Sequence, residues 1–126
     1  MVQKKVVIYY FPFVLVLVTI FILSSLSSGS LKPFQFTDLF ALDKIGHFLA
    51  YASLSFCYYA GFRYARQRAP QGREIWKIFA ICAIYGVVLE CCQLFFFTSR
   101  SYEFADMIAN ALGAGSGLAV ARLFWR

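Results

Sequence analysis

An imidazole (His47), two carboxylates (Glu90 and Asp106) and a guanidinium (Arg100) stand within or beside apolar runs of this 126-residue chain. The first three can move a proton, and a guanidinium can clamp an anionic group through paired N–H donors. Around them lie Asp43, Lys44, Tyr51, Gln93 and Asn110, a set able to bind a polar or anionic ligand. Asp43, His47 and Tyr51 are spaced i, i+4, i+8 and share one face of a helix. Glu90 and Gln93 are spaced i, i+3, and Asp106 and Asn110 share a face with Gly113 or Gly117. His47 with two carboxylates could also ligate a divalent metal. No compact ligand motif is present, so the sequence assigns no metal and no cofactor.

Composition dictates what must position these groups. The chain is 61% hydrophobic, 20% aromatic and 14% charged, more apolar surface than a soluble domain of this size could hide. It reads as one all-α, polytopic membrane domain built from four transmembrane helices. The spans fall at about 6–23, 44–64, 75–97 and 104–124. The first run is 18 residues long, beyond the apolar core of a secretory signal, and Pro12 near its start is a candidate bend. The stretch 63–77 is basic, contains Pro70 and Gly72, and reads as a loop. Cys57, Cys82, Cys91 and Cys92 lie in apolar runs without metal or redox spacing and read as small hydrophobes.

The net charge of +6 carries no nucleic-acid signal, because the basic residues sit between spans rather than on a water-facing patch. Nine of the 12 Lys and Arg fall on the side of the termini and the central loop, and Lys32, Lys44 and Arg100 on the other. Both termini should therefore be cytoplasmic. That topology gathers every strongly polar group of the spans into the outer third of the membrane. Glu90, for example, lies about 10 Å below the outer surface at 1.5 Å per residue. None of these faces can meet lipid cheaply, so they should turn toward one another.

Each element also has a plainer role. Gln93 and Asn110 can be interhelical hydrogen-bond glue. Arg100 can be an interfacial anchor, His47 a hydrogen-bonded helix residue, and Asp43 a helix N-terminal acid. Gly113 and Gly117 form a small-xxx-small face for close packing. Glu90 resists a plain reading, since a carboxylate in a span must be paired, hydrated or protonated.

The stretches "DKIGHFLAYASLSF" and "VVLECCQLFFFTSRSYEFADMIANALGAGSG" carry a family likeness. They resemble the VanZ-like membrane proteins of bacteria, whose pattern is Asp-Lys-x-x-His-x-x-x-Tyr, Glu-x-x-Gln, Arg, then Asp-x-x-x-Asn-x-x-Gly. Asp43, Lys44, His47 and Tyr51 match the first part, Glu90 and Gln93 the second, and Arg100 the third. Asp106, Asn110 and Gly113 match the last. The likeness covers roughly residues 40–124, and the first span shares only its hydrophobicity. It implies a multi-pass protein of the bacterial cytoplasmic membrane. It also implies an envelope role, since the family is named after a resistance protein linked to teicoplanin, a glycopeptide antibiotic.

Two functions are thus expected to compete. One is a binding or catalytic site in the outer leaflet for a lipid-linked or phospholipid-headgroup ligand, with His47, Glu90 and Asp106 as the reactive groups. The other is a non-enzymatic, lateral membrane partner in which the polar cluster only locks helices together. A proton-coupled transporter would need polar groups in the inner half of the spans, and the sequence has none there.

Overall fold

A computed structural model describes residues 2–25, 36–96 and 104–126. These form four helices: α1 (Val2–Ser25), α2 (Phe36–Arg66), α3 (Arg73–Phe96) and α4 (Phe104–Phe124). No strand occurs among the described residues. Three of the helices, α1, α3 and α4, are long and apolar enough to cross a membrane. The chain is accordingly a multi-pass membrane protein. The fourth, α2, is the longest at 31 residues, about 46 Å at 1.5 Å per residue. It begins at Phe36, ahead of the span expected from about residue 44, because "FTDLFALD" contains no helix breaker.

Between α2 and α3 the chain turns sharply. Gln67 (φ 55°) and Gly72 (φ 46°) adopt left-handed conformations that stop one helix and admit the next. Glu74 then fastens the corner: its carboxylate accepts from both arms of Arg68, at 2.7 and 2.5 Å, and from the Gln71 backbone N–H at 3.1 Å. The expected basic loop is therefore a short, internally bonded turn. Pro12 lies inside α1 without ending it.

Helix directions follow from which residues meet. Tyr9 stacks near Tyr64, and Tyr10 near Tyr58, so α1 and α2 are antiparallel. Gly113 faces Phe48 and Gly117 faces Ala52, while Phe124 lies against Phe56, so α2 and α4 are parallel. Tyr85 bonds to Leu17 and Gln93 to Ser24, which makes α1 and α3 parallel. All four helices thus alternate up and down. The start of α2, the end of α3 and the start of α4 share one end of the bundle.

The α2–α4 seam is the closest in the fold, and glycine is the reason. A Cβ on Gly113 would collide with the Phe48 backbone, and one on Gly117 with the Ala52 carbonyl and the Ser55 hydroxyl. Behind this seam Tyr51, Leu54, Tyr59, Ile78, Cys82, Ala114 and Ala121 form the buried core. Outward faces remain apolar, as at Val7, Trp76, Phe95 and Phe104, a surface suited to lipid. All four cysteines are free thiols.

Candidate functional site

The polar residues of α2 and α4 meet at the end of the bundle where both helices begin. Parallel packing on the glycine seam keeps residue 44 level with 106 and residue 47 level with 110. Lys44 Nζ consequently donates to Asp106 Oδ1 and lies 3.8 Å from Asp43 Oδ2. On the other side of the same carboxylates, His47 Nε2 stands 3.8 Å from Asp43 Oδ1 and 3.9 Å from Asp106 Oδ2. His47 Nδ1 faces Asn110 Oδ1 at 3.0 Å, a hydrogen bond in which the ring N–H donates and the amide oxygen accepts. Asp106 lies in the first turn of α4, where the helix dipole favours an anion.

Burial grades across the cluster. Asp106 and Asn110 are buried, whereas His47 and Lys44 keep 14% and 17% of their side chains exposed and Asp43 keeps 38%. The cluster is therefore closed at Asp106 and most open to solvent at Asp43. Its inner wall is Tyr51, fully buried, whose ring rests beside Asn110 against Gly86. A Cβ at Gly86 would lie 3.0 Å from Asn110 Nδ2 and 3.2 Å from Tyr51 Cε1, so the missing side chain is what admits both groups. Gly86 shares the buried face of α3 with Ile78, Cys82 and Glu90, at intervals of four. The i, i+4 spacing to Glu90 is the signal that could have marked Gly86 in the sequence.

Since α3 runs antiparallel to α4, with Gly86 opposite Asn110, Glu90 comes level with Asp106 one turn further on. Glu90 is 2% exposed and lies within electrostatic reach of Tyr51. Gln93 takes another direction. Its Nε2 donates to the Ser24 carbonyl of α1 at 3.1 Å, tying α3 to α1. Tyr85 makes a similar bond to the Leu17 carbonyl at 2.7 Å. Arg100 lies outside the described residues.

Of the expected set, the fold joins Asp43, Lys44, His47, Asp106 and Asn110 directly, with Tyr51 behind them and Glu90 at the same depth. Such a set can hold a cation, orient a polar headgroup or pass a proton. A family model described as VanZ/LLP1 matches residues 6–125, which extends the likeness through the first helix. No curated protein and no solved structure matches the chain.

Proposed function

The chain belongs to the VanZ/LLP1 family, and on that premise we propose that its polar recess binds the anionic headgroup of a lipid-linked envelope component. The recess faces the outer leaflet of the bacterial cytoplasmic membrane, as the Lys and Arg asymmetry directs. Lys44 and Arg100 supply positive charge to the headgroup, Asn110 and Tyr51 supply hydrogen bonds, and His47, Glu90 and Asp106 are the groups able to carry a proton. The link to teicoplanin-type resistance belongs to this reading as one envelope phenotype of such a site.

One observation carries the proposal: the gradient of exposure from buried Asp106 to Asp43. A cluster serving only to join helices gains nothing from an open side. This one opens at the end of the bundle, where a headgroup would enter. Mass spectrometry of lipid that co-purifies with the protein is the test. Wild type should retain an anionic lipid, and Arg100→Ala should lose it while keeping its thermal stability. Equal lipid content in both would overturn the reading. The orientation is checked with Ser99→Cys in a background whose native cysteines are alanine. An impermeant external reagent should label intact cells.

A second reading has its own support. The Lys44–Asp106, His47–Asn110 and Gln93–Ser24 pairs each join two different helices. In that reading the protein is a lateral membrane partner, and the pairs are its lock. Comparable destabilisation by His47→Ala, Asp106→Asn and Gln93→Leu, with lipid content unchanged, is its expected result.

A further inference from the structure

The two Asp43–Asp106 carboxylates divide their oxygens between two places. Asp43 Oδ2 and Asp106 Oδ1 face the Lys44 ammonium. Asp43 Oδ1 and Asp106 Oδ2 face His47 Nε2 instead, at 3.8 and 3.9 Å, too far apart for hydrogen bonds. In the neutral ring that donates Nδ1–H to Asn110, Nε2 carries the lone pair on the side of the two carboxylates. One ligand atom each from Asp43, His47 and Asp106, on two helices, lies within 4.8 Å of the other two.

We propose that Asp43 Oδ1, His47 Nε2 and Asp106 Oδ2 bind a divalent cation of the Zn2+ or Mn2+ class. Two donors bound to one tetrahedral ion at about 2.1 Å stand about 3.4 Å apart, so each His47 separation closes by about half an ångström when the ion enters. Asp43 is the most exposed of the three, and it is the donor that shifts to complete the set. Imidazole with two carboxylates suits borderline and harder first-row ions. Asn110 is the outer partner that fixes the imidazole tautomer, a role commonly taken by an amide or carbonyl oxygen behind a metal-bound histidine.

Charge gives the cation its purpose. Among the described residues Asp43 and Asp106 outweigh Lys44 by one negative charge, which opposes the pull of Lys44 and Arg100 on an anionic headgroup. A divalent ion reverses that sign, and three protein donors leave coordination positions for phosphate oxygens and water. This deepens the headgroup reading and rests on it only for the identity of the ligand.

The experiment uses the full chain in nanodiscs, with any affinity tag removed, stripped with chelator and titrated calorimetrically with Zn2+ or Mn2+ alone. Wild type should bind one ion per chain. Asp43→Asn, at the most exposed of the three donors, and His47→Ala should each lower affinity at least about tenfold. Asn110→Ala should lower it about tenfold through the lost outer hydrogen bond. Lys44→Met should bind more tightly than wild type, because a neighbouring positive charge has gone. Absence of a stoichiometric ion in wild type overturns the proposal, as does unchanged affinity in Asp43→Asn and His47→Ala together. Binding by Lys44→Met alone also overturns it, by showing the ammonium to be the recess's own cation. Anionic lipid retained in chelator by a protein that binds no ion would sink the cation and leave the headgroup reading standing. Ion binding without lipid retention would do the reverse.

Discussion

The two ends of this bundle are held by different chemistry. At one end, α2 and α4 meet through Lys44–Asp106 and His47–Asn110. At the other they meet through rings: Tyr59 stacks on Trp125 at 5.9 Å, Phe56 lies 5.3 Å from the same indole, and Tyr9 lies 6.0 Å from Tyr64. Ring contacts are broad and tolerant of small shifts, and they suit the interface, where amphipathic aromatics settle. Ion pairs and amide bonds at membrane depth are directional, and losing one member strands the other. The aromatic end is therefore built for holding and the polar end for a defined geometry. Between them the glycine seam sets the spacing of both.

That seam gives the largest expected effect. Gly117→Leu drives a side chain into the Ala52 carbonyl and Ser55 hydroxyl, backbone and buried groups that cannot step aside. Overpacking of this kind costs about 3 kcal/mol or more, and no folded monomer should survive detergent extraction and heating at the wild-type midpoint. Gly115→Ala is the matched control. Its Cβ would come no nearer than 3.9 Å to Phe79, so its melting temperature should stay within about a degree of wild type. A tolerated Gly117→Leu would mean that the ends are not coupled through α2 and α4.

Next in size is Asp106→Ala, expected to cost about 3 kcal/mol because it takes a buried carboxylate from Lys44. Adding Lys44→Met should restore much of that loss in a thermal melt. Failure of the second substitution to restore stability would show that the polar end holds through something other than this pair. Trp125→Ala probes the opposite end. Removing an indole in contact with Tyr59, Phe56 and Tyr64 should cost about 2 kcal/mol. Ion and lipid retention at the far end should not change. If retention falls with Trp125→Ala, the division between holding and chemistry is wrong.

How much of this was legible depended on whether a residue's partner was a side chain or a backbone group. The four helices follow from hydropathy, and the grouping of Asp43, His47, Asp106 and Asn110 follows from helical spacing once the chain reverses at each loop. Gly113 and Gly117 announce a close seam, although their spacing does not say which helix fills it. Gly86 is harder to read, since its i, i+4 spacing to Glu90 marks the face but not the amide and the phenol that lie against it. The part of α1 is also hidden: its contribution is the carbonyls of Leu17 and Ser24. Every residue of a helix has a carbonyl, so no residue type marks these two. Hydropathy places the start of α2 late because Asp43 and Lys44 interrupt the apolar run, and it reports the membrane span rather than the helix that extends beyond it.

Gln93 gives the smallest and sharpest test of the comparison. It sits at the polar end, on the same face of α3 as Glu90, yet its amide donates to α1 and not to the recess. If direction of bonding rather than location decides what a polar residue does, Gln93 belongs with the rings as a holding group. Gln93→Leu should then cost about 1 kcal/mol, the usual worth of an interhelical hydrogen bond in a membrane. Tyr85→Phe, which removes the parallel bond to Leu17, should cost a similar amount. Both substitutions loosen α1 from α3 and so should add less than their sum when combined, because the second bond has already lost its fixed partner. Neither should alter ion affinity or lipid content. A Gln93→Leu protein that melts as wild type but loses its lipid would move Gln93 into the recess, with its carbonyl oxygen as a ligand and the bond to Ser24 as the device that aims it.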